Sequence, residues 1–265
     1  MVEGYAKLST MRRLERTSHD LCVRSASGGR RRHAPRDFLP RHVHEVAFAT
    51  IVLTGGYVEA GDTGRHRAVP GDVVLHAPYE WHLDRVDFVA TEVLVVPLTC
   101  GGIDFACGRI ADPDSLVRIV ESDSAAAEPA LFEQLKSRNE PPLDWPDDLA
   151  RALRDDPSLS LRGWAGEHGL SVGSLSRGFV QVYGVSPASY RLLQRTHRAI
   201  RAILKTEMPL SAIAQNAGFA DQAHMSRAVQ RATALSPRVL RARWPMTLTR
   251  QSDGLAADTP SQSPG

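Results

Sequence analysis

Cysteine is scarce, lysine nearly absent and long apolar runs are missing, and each shortage excludes something. The 265 residues contain three cysteines, Cys22, Cys100 and Cys107. They are too few and too scattered for a disulfide framework, so a reducing compartment is expected. Cys100 and Cys107 lie seven apart, which matches no metal knuckle. No apolar stretch approaches the roughly 18 residues that span a bilayer, so no membrane partner is expected. The first 26 residues scatter their charges and hold no apolar core segment. No secretory signal is therefore expected, and the cytoplasm is the expected location. No nucleophile motif, glycine-rich phosphate loop or acid pair stands out. No catalytic residues, and hence no enzyme, are expected. At 42% hydrophobic residues the chain is too apolar to be disordered as a whole.

Charge is present but unevenly placed. The net charge of +2 hides an asymmetry. Residues 147–244 carry 14 basic and 7 acidic side chains, +7, while the remainder carries 18 basic and 23 acidic, −5. A basic C-terminal block points to a polyanion partner. Only Lys7, Lys136 and Lys205 are lysine. The arginine bias suits phosphate and base contacts, and a GC-rich genome produces the same bias.

The chain divides into five stretches. Residues 1–36 are polar and arginine-rich, with Gly28-Gly29-Arg30-Arg31-Arg32 as a low-complexity knot, and read as a mobile basic arm. Residues 37–108 read as short strands separated by turns: an apolar run over 46–53, a Gly61-Asp62-Thr63-Gly64 hairpin turn, Pro70-Gly71-Asp72, and a last run over 87–98. This spacing predicts a small barrel or sandwich. Residues 109–146 hold two short helices carrying Leu116, Ile119, Val120, Leu131 and Leu135. They read as linker helices that serve dimerisation or simple packing. Pro141, Pro142 and Pro146 mark the boundary. Residues 147–245 read as helical throughout, and 246–265 as a disordered tail.

The helical stretch repeats itself. Leu161, Trp164, Ala165, Gly169 and Leu170 recur 49 residues later as Leu210, Ile213, Ala214, Gly218 and Phe219. After a one-residue insertion the offset is 50, pairing Ser171, Ser176, Arg177 and Phe179 with Asp221, Ser226, Arg227 and Val229. Each copy reads as a helix-turn-helix. A small Ala permits close crossing, a Gly follows the first helix, and Ser171 or Asp221 caps the second. The second helices bury Leu175 and Phe179, or Met225 and Val229. They present Ser174, Ser176 and Arg177, or Gln222, Ala223, Ser226 and Arg227, which are side chains suited to major-groove reading. Between the copies a helix over 187–205 places Arg191, Arg195, Arg198 and Arg201 at 3–4 spacing. They form either a face toward phosphates or a solvated face.

The segment from Leu170 through Ser176-Arg177-Gly178-Phe179 to Tyr183-Gly184-Val185-Ser186-Pro187 resembles the first helix-turn-helix of the AraC/XylS family of transcription regulators. Residues 213–227 resemble that family's signature in the second. The resemblance covers about 95 residues and implies two recognition helices in successive major grooves of double-stranded DNA. It also implies a homodimer and RNA polymerase as partners. The pattern departs at Gly173 and Gly178, inside the first recognition helix, at Val229 for the usual Phe, and at Ala234 for the usual Gly. The first helix is therefore expected to anchor more than it reads.

The β stretch is similar to the cupin pattern, through Arg41-His42-Val43-His44, Gly55, Pro70-Gly71-Asp72 and His82. This resemblance implies a domain that senses a small-molecule effector, with His42, His44, Tyr57, Trp81 and His82 as its contacts. In metal-binding cupins His42, His44 and His82 would be three ligands of a divalent metal, such as zinc, iron, nickel or copper. The glutamate of that pattern falls on Phe48, so no cofactor is the primary expectation and the metal is the alternative. His76 reads as structural or surface. The fold class expected is α+β multidomain, a cupin-like β-barrel or sandwich followed by an all-α domain with two helix-turn-helix motifs. The function expected is a sequence-specific, effector-controlled regulator. The alternative is a metal-dependent cupin enzyme or metal sensor fused to a DNA-binding domain.

Overall fold

The computed structural model describes residues 23–24, 28–99, 106–138 and 144–243. The tail and most of the arm lie outside these residues, as do Cys22 and Cys100. Eleven strands are described: β1 Val23–Arg24, β2 Gly29–His33, β3 Phe38–His44, β4 Ala47–Thr54, β5 Tyr57–Gly61, β6 Arg65–Ala68, β7 Asp72–His76, β8 His82–Val86, β9 Thr91–Leu98, β10 Cys107–Arg109 and β11 Lys136–Ser137. They form two sheets, ordered β1-β3-β8-β5-β6 and β11-β10-β7-β4-β9-β2.

Alternation explains why β4, β7 and β9 read as continuous apolar runs. Along a strand, successive side chains face opposite sides. Phe48, Val52, Val74, Val93 and Val95 pack between the sheets. Ala47, Ala49, Ile51, Val73, Leu75, Leu94 and Val96 face the other way and meet helices α1 (Pro113–Ser122) and α2 (Ala127–Gln134). With both faces covered, such strands carry no polar stripe.

Three boundaries differ from the expectation. The arginine-rich knot is not an arm over its whole length: β2 pairs antiparallel with β9, Gly29 opposite Val95 through His33 opposite Thr91. Its arginines suit an edge strand, where long charged side chains reach outward, and Arg30 meets Glu92 at 3.1 Å and Glu121 at 3.3 Å. The β unit also continues past 108, because β10 pairs with β7 and β11 with β10. Leu116, Val117 and Leu131 of α1 and α2 are buried against the sheet. Ile119, Val120 and Leu135 of the expected stripe are partly buried. Finally, the run over 87–98 starts at Thr91, residues 87–90 forming the turn from β8.

The helical half comprises α3 (Trp145–Asp155), α4 (Leu161–Glu167), α5 (Val172–Tyr183), α6 (Pro187–Lys205), α7 (Leu210–Asn216), α8 (Gln222–Thr233) and α9 (Pro237–Arg243). Ser171 accepts the Ser174 N–H and Asp221 the His224 N–H, capping α5 and α8. Gly169 and Gly218 follow α4 and α7 at φ 66° and 81°, the left-handed conformation that glycine adopts without steric cost. Gly178 lets α5 approach α3, since a Cβ there would lie 2.5 Å from the Trp145 indole.

The two copies end differently. Gly184 closes α5 at φ 72°, whereas Ala234 closes α8 at φ 58°. A left-handed alanine is strained by about 1–2 kcal/mol, partly offset because glycine gains unfolded-state entropy. Ala234→Gly is therefore expected to stabilise the chain by about 0.5–1 kcal/mol. A denaturant midpoint that stays put or falls would contradict this.

Candidate functional site: a histidine cavity and two exposed recognition helices

Between the sheets lies a cavity of about 100 Å³. Its polar lining follows from strand register. His42 on β3 pairs with His82 on β8, and His82 pairs with Gly61 on β5. His42 and His44 share one face of β3, so both imidazoles enter with His82. The nitrogens of these three histidines lie within 4.8 Å of one another, and all three residues are buried. His42 Nδ1 donates to the Pro40 carbonyl at 2.9 Å, the kind of outer contact that orients metal-ligating histidines.

The opposite sheet adds what the sequence reading missed. His76 on β7 pairs with Phe48 on β4, and their rings stack at 4.3 Å. His76 is buried, not on the surface, and its ring lies 4.5 Å from that of His82. Glu59 on β5 faces His76, with Oε2 3.5 Å from Nε2. Burial, then the neighbouring imidazoles, push His76 and His82 well below the usual histidine range, so both are neutral. Burial, then Asp84 and Glu80, push Glu59 well above the usual carboxyl range against the opposing Arg41. Alternation alone could not have announced His76 or Glu59, because β5 and β7 are buried on both faces and either parity is possible.

Of the effector contacts expected, Tyr57 lines the cavity with the three histidines. Trp81 does not. It precedes His82, so it faces the opposite side and packs on the helical core around Ile200 and Met225. Glu80 likewise turns away and accepts the Ala77 N–H at 2.8 Å.

The outer face of the first sheet is joined to the helices. Ala60 and Leu83 belong to the same buried cluster as Leu175, Phe179, Tyr183 and Tyr190. At the centre is Asp62, whose carboxylate accepts Arg41 Nη2 at 2.7 Å and the Trp81 N–H at 3.0 Å. Its backbone carbonyl accepts Gln194 of α6 at 3.2 Å. Arg41 also donates to the Tyr183 carbonyl of α5. Arg41 and Trp81 are the chain neighbours of His42 and His82.

On the helical half, Arg177, Gln222, Ala223 and Arg227 are exposed, while Ser174, Ser176 and Ser226 are half-buried. Arg177 Nη2 leans on Ser174 Oγ at 3.4 Å. Arg191 and Arg195 depart from the phosphate-facing expectation. They donate to the carbonyls of Leu159 and Pro157 at 2.6 and 3.0 Å, and Arg198 donates to that of Arg154. These arginines tie α6 to the α3–α4 connection, because orphan carbonyls at the end of α3 and in the following turn need donors.

A family model described as a helix-turn-helix domain matches residues 164–243. The arabinose operon regulatory proteins of Salmonella typhimurium and Escherichia coli are each 38% identical over 73 residues, 28% of this chain and 26% and 25% of theirs. The chain thus matches about a quarter of the length of these curated relatives. The structure of ToxT from Vibrio cholerae is similar at 10% identity and a TM-score of 0.42, covering 83% of this chain and 98% of that one. No helix among the described residues is long and apolar enough to cross a membrane. The repeated caps, the left-handed glycines and the matched segment together make residues 164–243 a helix-turn-helix domain, similar over 73 residues to the arabinose operon regulatory proteins.

Proposed function

We propose that this chain is a sequence-specific DNA-binding regulator of transcription, not an enzyme, controlled by an effector held in the histidine cavity and acting in the cytoplasm. The observation that carries the reading is the pair of capped helices α5 and α8, each following a tight turn and each presenting exposed polar residues at its first turns. Double-stranded DNA is the partner. Arg227, Gln222, Ala223 and Ser226 read bases from α8, and Arg177, Ser174 and Ser176 lie on α5. A homodimer and contact with RNA polymerase complete the regulator.

The cavity restricts the effector to a small one. Its volume is about 100 Å³. Three buried, converging imidazoles, with His82 Nδ1 lacking a hydrogen-bond partner, favour a divalent transition metal over an organic ligand. His42, His44 and His82 would hold the ion, which would supply a localised positive charge between β3 and β8. Any shift of these strands is carried by Arg41 and Trp81 to Asp62, α5 and α6. Occupation then selects among arrangements of the two helix-turn-helix units.

The test is selection of duplexes from a random pool by the purified chain. One motif is expected to emerge. Arg227→Ala should weaken binding to it by about 1–3 kcal/mol, and the half-site under α8 should tolerate base changes less well than the half-site under α5. Enrichment of no motif, or an unchanged affinity for the variant, would overturn the reading.

A further inference from the structure

A dication held by three imidazoles alone brings an uncompensated charge into a buried cavity, and buried charge is costly unless an opposite charge is near. In the metal-binding pattern that this β region resembles, the compensating carboxylate sits where Phe48 stands. The Phe48 ring occupies that place, packed on His44 at 4.6 Å and on His76 at 4.3 Å. Across the cavity, on the other sheet, Glu59 is 1% exposed. One of its oxygens engages His76, and the other has no hydrogen-bond partner. His76 in turn faces His82, and Nδ1 of each of these two rings lacks a partner. Three unpartnered buried polar atoms thus surround one small cavity, and they come from strands β5, β7 and β8.

We propose that Glu59, positioned by His76, is the anionic partner of a divalent transition-metal ion held by His42, His44 and His82, so that β5 supplies the carboxylate lost from β4. This rests on the metal reading of the cavity given above. The relocation has a physical logic. Phe48 stacks on His76 and holds its ring between Glu59 and His82, so the residue that removes the usual carboxylate also orients the substitute. The other nearby carboxylate, Asp84, is the cross-strand neighbour of Glu59. It also lines the cavity, but it is less buried than Glu59.

The experiment uses the full chain, stripped with a chelator and titrated with Zn²⁺ or Co²⁺ against a chromophoric competitor. The wild type is expected to bind one equivalent. Glu59→Gln and His76→Ala should each weaken binding about 10–100-fold, the range for lost outer partners of metal ligands. Asp84→Asn should bind as the wild type does. Adding Phe48→Glu to the Glu59→Gln variant should restore affinity and change the Co²⁺ absorption spectrum. Thermal unfolding of each metal-free variant identifies any that fail to fold, and Phe48→Glu alone, expected to tighten binding, then serves in place of a misfolded double variant. Wild-type affinity in Glu59→Gln, or a loss confined to Asp84→Asn, overturns the assignment while leaving the metal site standing. No stoichiometric metal on the wild type overturns both.

Discussion

Replacing Asp62 with alanine is expected to cost about 3–5 kcal/mol of stability, the range for breaking a buried ion pair from one side. The Asp62 side chain is 1% exposed and that of its partner Arg41 is 7% exposed. Without the carboxylate, Arg41 keeps only carbonyl acceptors, on Ala60, Trp81 and Tyr183. The Trp81 N–H loses its acceptor, and His197, 3.6 Å from Asp62, loses its charged neighbour. Asp62→Asn should cost less, because it retains an oxygen for the Trp81 N–H. Urea unfolding measures both. Hydrogen exchange should show faster opening in α6 and in the β5–β6 turn together, since Asp62 belongs to both contacts. A loss below about 1 kcal/mol, the size of an exposed pair, would show that the junction is not the dry contact described.

Phe179→Ala is the second large effect. The Phe179 ring is fully buried and stacks on Tyr183 at 4.6 Å, with Tyr190 edge-on at 5.3 Å. Truncation leaves a cavity in a core completed by Ala60 and Leu83 of the sheet. Phe→Ala at such a site costs about 3–5 kcal/mol. Its counterpart in the second copy, Val229, is equally buried but has only two methyl groups to lose. Val229→Ala should cost about 1.5 kcal/mol at roughly 0.8 per methylene-sized group. A lower denaturant midpoint with an unchanged slope would register both losses. Equal costs at the two positions would contradict the unequal packing of the copies.

The helical half was legible in the sequence to a high degree. Helix α6 runs from Pro187 to Lys205, the range its period announced. Ser171, Asp221, Gly169 and Gly218 stand where their backbone chemistry requires them. Caps and left-handed turns are local devices, set by neighbours three or four residues away. The glycines inside α5 were visible as departures, but the reason for Gly178 was not. It is Trp145, 33 positions earlier, whose indole occupies the space of a side chain. The arginines of α6 were misleading for the same reason. Their 3–4 spacing showed a shared face, and the α3–α4 connection that covers this face comes from elsewhere in the chain.

In the β half the sequence by itself determined the centres of β4, β5, β7 and β9, the hairpin turn at 61–64 and the common side of His42 and His44, because alternation and turn chemistry act within a few residues. Only the tertiary structure decided that Arg30 to Arg32 continue a sheet, that α1 and α2 cover its outer face, and that Trp81 turns to the helices while His76 and Glu59 turn inward. A period of two assigns residues to one side or the other of a strand. Which side meets the cavity, the helices or the solvent depends on the layers packed against the sheet, and those layers are built from residues far away in the chain.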